Sequence, residues 1–136
     1  MSTLSGHRER PHTADWSLDV WAYDLPSLFE EAARGMAELM DLRLRPGPRS
    51  KRRIQIPWSD AEGSLVGFLS ELLYLDESEG LGFDRIQVTI HAGLLIANLE
   101  VAPIAAQAKE IKAVTYHNLA VHQVDDHLET TIVFDV

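Results

Sequence analysis

The sequence predicts a single α+β domain, and three observations predict it. The chain has 136 residues and no cysteine, a length that buries a core without disulfides or thiolate metal sites. Two segments carry apolar residues at helical spacing. Around them lie about six shorter segments in which apolar and polar residues alternate. The expected order is β-α-β-α-β-β-β-β, with both amphipathic helices on one face of a mixed sheet of about six strands.

The first strand is predicted over Trp16 to Tyr23, where Trp16, Leu18, Val20 and Ala22 share one face. Residues 1–11 before it show no periodicity and are expected to form a flexible tail to a domain over 12–136. A helix follows, with Leu25, Leu28, Phe29, Ala32, Ala33, Met36, Leu39 and Met40 on one stripe. Asp24 suits its N-cap and Pro26 its first turn. Pro46, Gly47 and Pro48 make residues 43–50 a loop.

Ile54, Ile56 and Trp58 alternate in a second strand, which Pro57 marks as an edge or an end. Ser59 and Glu62 have the spacing of a capping box for a second helix, which carries Leu65, Phe68, Leu69 and Leu72 and ends near Gly80. Ile86, Val88 and Ile90 form the next strand, and Ala92-Gly93 turns it into Leu95, Ala97, Leu99 and Val101. Residues 103–113 read equally as a loop or a helical turn. His117, Leu119 and Val121 start a fifth strand, and Leu128 to Phe134 make the sixth.

Composition narrows the function. Hydrophobic residues make up 46% and charged residues 24%, the balance of a globular chain. No apolar run approaches the roughly 20 residues of a membrane span. The opening MSTLSGHRERPH has no signal-peptide apolar stretch, so a cytoplasmic protein with no membrane partner is expected. The formal charge of −9 argues against a large basic nucleic-acid surface. Arg43, Arg45, Arg49, Lys51, Arg52 and Arg53 nevertheless hold six of the twelve Lys and Arg. They are either a solvated linker running into a charged strand, or a local contact for an acidic partner or a phosphate backbone.

No glycine-rich phosphate loop, nucleophile elbow or H-E-x-x-H zinc motif occurs. Three polar clusters remain. His12-Thr13-Ala14-Asp15 precedes the first strand and reads plainly as a turn with side chains on backbone N–H groups. Lys112 to His117, including Tyr116, reads plainly as a loop with Lys and His in solvent. Phe134-Asp135-Val136 sets Asp135 on the face opposite Phe134, beside the α-carboxylate of Val136. Those two anions are either a frayed, solvated end or a hard-cation chelate. Antiparallel pairing of the first and last strands would bring Asp15 and Asp135 together with His12 near by. Oxygen-rich ligands of this kind favour Mg²⁺, Mn²⁺ or Ca²⁺ over zinc.

In order along the chain, H-T-A-D at 12–15, the helix pattern over Pro26 to Asp41, F-L-S-E-L-L-Y at 68–74, I-K-A-V-T-Y-H at 111–117 and the closing D-V at 135–136 resemble the archease family. The resemblance implies a small α+β protein that assists an RtcB-type RNA ligase, the enzyme that joins 2′,3′-cyclic-phosphate or 3′-phosphate RNA ends to 5′-hydroxyl ends with GTP and Mn²⁺. It implies an accessory activator rather than an enzyme, one that promotes guanylylation of the ligase histidine and multiple turnover in tRNA splicing and RNA repair. RNA is then met only through the ligase, and self-association is left open. Carried over residue by residue, Asp15 and Asp135 are metal-site carboxylates, with His12 and Val136 beside them, and Lys112 is an essential lysine. Tyr116 and His117 match the T-Y-H motif.

One departure is plain. Archeases commonly carry Gly-Glu after the fourth strand and often a His before the Lys motif; here residues 101–106 read V-A-P-I-A-A. Two other classes fit the residues without the resemblance. One is a small metal-dependent phosphoester hydrolase, using paired Asp with His and Lys to activate water. The other is a non-catalytic binding or chaperone-like module, in which the Asp residues only bridge strand ends.

Overall fold

The computed structural model describes residues 5–11 and 15–136. It contains nine strands and two helices among those residues, in the order β1 (Gly6–Pro11), β2 (Asp15–Ala22), α1 (Leu25–Leu39), β3 (Arg43–Leu44), β4 (Ser50–Pro57), α2 (Ala61–Glu79), β5 (Leu81–His91), β6 (Leu94–Ala106), β7 (Ala113–Thr115), β8 (His122–Val124) and β9 (His127–Asp135). The α+β class and both helices match expectation. The sheet differs: there are two, and every described pairing is antiparallel. Each helix connects strands of different sheets or strands that are not neighbours, so neither imposes a parallel pair.

The first sheet runs β1-β2-β9-β7, with β8 also on β9. The second is centred on β6, which pairs with β5 along one edge and with β4 and then β3 along the other. Helix α1 packs on β1 and β2 and also on β5, while α2 packs on β4, β5 and β7. The helices therefore join the two sheets instead of lying on one face of a single sheet. Phe29, Phe68 and Phe134 are fully buried in one continuous core. The rings of Phe29 and Phe68 lie 5.8 Å apart, and those of Phe29 and Trp58 5.7 Å apart, within the range of favourable aromatic pairing.

Residues 6–11 are not a tail. They form β1, with Gly6 opposite Trp21 and Pro11 opposite Trp16. A Cβ at Gly6 would collide with the Trp21 indole, so the strand lies close only because that side chain is missing. Both ring nitrogens of His7 reach α1, at 3.0 Å from Glu31 and 2.6 Å from Glu38. The loop expected over 43–50 contains β3, and residues 103–106 continue β6 to meet it.

Helix α2 is capped by Asp60, not by Ser59: the Asp60 carboxylate accepts from the Gly63 N–H at 2.6 Å. Glu62 is thereby free to reach the Val121 N–H at 2.8 Å, which fastens the segment before β8 to the helix. The helix ends on Gly80 in the left-handed conformation, φ 67°. Ala92 and Gly93, with φ 51° and 76°, make the β5–β6 hairpin turn. Among the described residues no helix is long and apolar enough to cross a membrane.

Candidate functional site

Antiparallel pairing of β2 with β9 puts Asp15 directly opposite Asp135. The alternation that buries Leu18, Ile132 and Phe134 fixes this parity, so both Asp positions belong to the opposite face. Residues opposed in this way have Cβ atoms about 4.5–5.5 Å apart, and like charges there oppose folding. Asp135 is exposed, which lowers that cost without removing it. Val136 is half-buried and packs against the core. His12 lies outside the described residues.

On the other side of β9, Ala113 is the partner of Asp135. The Lys112 N–H donates to the Asp135 carbonyl at 2.8 Å, so the backbones of the two residues are fixed side by side. The Lys112 side chain is exposed. The loop before it is held at its start as well, where Ala108 N–H donates to the Met40 carbonyl at 2.9 Å. Asp15, Asp135 and Lys112 thus occupy one end of the five-stranded sheet, as the sequence leads one to expect for the first and last strands.

Tyr116 and His117 are not part of that end. Thr115 pairs with Val133, so the chain leaves β7 moving away from Asp135. Tyr116 is three residues beyond the Ala113 row, about 10 Å at strand rise. It is 64% exposed, the largest exposure of any aromatic named in this region. His117 is also exposed, 3.3 Å from the Asn118 side chain. These two residues mark a rim along the sheet edge. The strand expected from His117 to Val121 is instead a turn with Asn118 at φ 51°, followed by β8.

One neighbour has no signal in the sequence. The Lys109 ammonium lies 3.4 Å from the centroid of the Trp16 ring, a cation–π contact next to Asp15 in sequence. Ninety-three positions separate the pair along the chain, and no local pattern marks it. A second cation therefore stands on the same loop as Lys112.

The donor set sets limits on a cofactor. Among the described residues no group of three or more His, Cys, Asp or Glu side chains converges as a metal-binding cluster. The Asp15–Asp135 row offers oxygen donors only, which fits a hard divalent cation completed by water or by oxygens of a partner.

Comparison with known proteins agrees with this architecture. The model of the Archease protein family (MTH1598/TM1083) matches residues 7–136. "Protein archease" of Thermococcus gammatolerans is 32% identical over 124 residues, covering 85% of this chain and 87% of its own. That of Pyrobaculum calidifontis is 27% identical over 146 residues, covering 97% and 96%. The crystal structure of an archease from Thermotoga maritima, described as a possible chaperone, superposes with a TM-score of 0.72 at 26% identity, covering 93% of this chain and 96% of the other. The solution structure of protein 1598 from Methanobacterium thermoautotrophicum shares the fold, with a TM-score of 0.73 at 24% identity and coverage of 96% and 99%.

Proposed function

The chain belongs to the archease family, and from that premise we propose that it is an accessory protein of an RtcB-type RNA ligase. In this reading it promotes transfer of GMP to the ligase's active-site histidine and supports repeated turnover. The observation that carries the reading is the Asp15–Asp135 row with Lys112 fastened beside it. Two carboxylates opposed across a strand pair are a poor choice for stability alone. They are explained by a counter-charge, and a divalent cation (Mg²⁺, Mn²⁺ or Ca²⁺) suits them.

Each residue then has a task. Asp15 and Asp135 hold the cation, which would supply positive charge for a triphosphate. Val136 fixes the end of β9 by packing against the core, and His12 belongs to the same motif. Lys112, exposed at the same end, meets a phosphate or an acidic group of the ligase. Tyr116 and His117 serve the contact with the ligase from the rim. The V-A-P-I-A-A stretch at 101–106 lies in the second sheet, on β6.

The test is ligase guanylylation with GTP and Mn²⁺, with and without this protein. Wild type is expected to accelerate the step, and Asp135→Asn and Lys112→Ala to lose that acceleration by at least about tenfold. A folded wild-type chain that leaves the rate unchanged overturns the reading. The description of the Thermotoga protein as a possible chaperone favours a second reading, a binding module without chemistry. That reading requires Asp135→Asn to be as active as wild type.

A further inference from the structure

The basic segment of the sequence divides in two once folded. Arg43 pairs with Asp41, Arg49 with Asp84 at 2.7 Å, and Arg52 with both carboxylate oxygens of Glu79. Lys51 and Arg53 have no carboxylate partner among the described residues, and Arg53 donates only a long 3.4 Å bond to Asn98. Both point outward from β4 onto the solvent face of the four-stranded sheet.

The register continues the pattern across that face. Lys51, Glu100 and Arg85 form one row, and Arg53, Asn98 and Gln87 the next. Arg34 of α1 adds a further cation beside β5, and the whole lines an open cleft of about 620 Å³. Asp84 is neutralised by Arg49 and Arg34 is matched by Glu31 at 2.9 Å. Glu100 then stands against Lys51, Arg53 and Arg85, touching only Arg85, at 3.9 Å. A chain of net charge −9 thus keeps a positive cleft on one face.

We propose that this cleft binds the phosphodiester backbone of RNA without regard to sequence. Charge complementarity argues for a polyanion. The cleft has no aromatic side chain among its lining, so neither base stacking nor the buried aromatic anchor of a protein interface is provided. The amides of Asn98 and Gln87 suit phosphate and sugar oxygens. The acidic remainder of the surface repels the same polyanion and confines contact to this face. The inference extends the ligase reading to direct contact with the ligase's substrate: the positive cleft calls for a polyanion, and the choice of RNA rests on that reading.

The test needs only the protein. Fluorescence anisotropy measures binding of a labelled single-stranded RNA across a salt series, beside a labelled poly-glutamate peptide of equal charge. Wild type is expected to bind RNA with a Kd of about 1–100 μM at moderate salt. The triple variant Lys51→Gln/Arg53→Gln/Arg85→Gln is expected to bind at least tenfold more weakly, with the slope of log K against log salt reduced by about 2. Arg43→Gln, outside the cleft, is the charge control and should bind within about twofold of wild type. No RNA binding by wild type, equal binding by the triple variant, or tighter binding of the peptide each overturns the proposal; the last assigns the face to an acidic protein. Guanylylation separates this proposal from the ligase reading. Asp135→Asn should bind RNA normally while failing to activate the ligase, and the triple variant should do the reverse.

Discussion

The two sheets handle charge in opposite ways. At the end of the five-stranded sheet, Asp15 stands opposite Asp135 with no cation between them in the register. On the outer face of the four-stranded sheet, Glu100 sits between Lys51 and Arg85, and neutral amides follow Arg53 across the next row. The second arrangement costs folding little, because every row mixes signs or dilutes them. The first sets two like charges opposite each other, which is locally unfavourable. On the reading proposed above a bound cation would balance the Asp row, whereas the basic face, positive on balance and with its charges diluted by amides, suits weak contacts made and broken often.

The largest expected effect concerns the foundation common to both sheets. Phe134 lies under the Asp row and Leu95 under the basic face, and both are 0% exposed in one core. Phe134→Ala should cost about 3–5 kcal/mol and Leu95→Ala about 2–5 kcal/mol. Chemical denaturation followed by fluorescence and by circular dichroism should show one coincident transition in each variant. Separate transitions would break the comparison, because the two sheets would then be independent units.

Next in size is the loop that carries Tyr116 and His117. It is fastened by Glu62 to the Val121 N–H and by the buried Thr130 hydroxyl, which donates to the Ala120 carbonyl at 2.9 Å. Glu62→Ala leaves the Val121 N–H without its acceptor and should cost about 1–3 kcal/mol. Hydrogen exchange should rise at residues 117–122 and stay unchanged in β4 and β5, which locates the effect on the five-stranded sheet.

Smaller, and more telling, is a difference in sign. Asp135→Asn removes one of two opposed anions and should stabilise the chain in chelator by about 0.2–1 kcal/mol. Glu100→Gln removes the anion between two cations and should destabilise it by a few tenths of a kcal/mol, given its partial exposure. Added Mn²⁺ should raise the Tm of wild type and leave that of Asp135→Asn unmoved. Equal signs for the two substitutions would remove the contrast between the sheets.

What the sequence could reveal follows the same physics. Alternation of Leu18 and Val20, and of Ile132 and Phe134, decides which face each Asp occupies. The face of each Asp is therefore legible in the spacing of apolar residues, whereas the row itself depends on the pairing of β2 with β9, which the structure supplies. Strand β1 is not, because G-H-R-E-R-P contains no apolar residue that alternates; Trp21 over Gly6 and the His7 bonds to α1 hold it, and both are tertiary. Strands β3, β7 and β8 have two or three residues each, too few to show a period. Lys112 is legible through its motif, whereas Lys109 over Trp16 is not, since a cation–π contact leaves no trace in local spacing.

The smallest expected effect is a pH dependence tied to β1. Burial pulls the His7 pKa down, but hydrogen bonds and charge from Glu31 and Glu38 outweigh it, and the net shift is upward from 6.5. Each ring nitrogen faces a carboxylate oxygen, an arrangement only the imidazolium satisfies as a double donor. The folded state therefore holds the His7 proton more tightly than the unfolded chain. Its stabilisation is fully present below about pH 6.5 and is lost as pH rises through the raised folded value. Solvent screening limits the gain to about 1 kcal/mol or less. The His127 pKa is raised as well, chiefly by its bond to Glu129 and further by Asp126. The comparison is therefore between wild type and His7→Gln, which keeps His127 in both. Wild type should lose stability relative to His7→Gln as pH climbs above 6.5, and hydrogen exchange across β1 and β2 should quicken in step. Parallel pH profiles for the two proteins would show that β1 is held by Gly6 under Trp21 and not by the charge on His7.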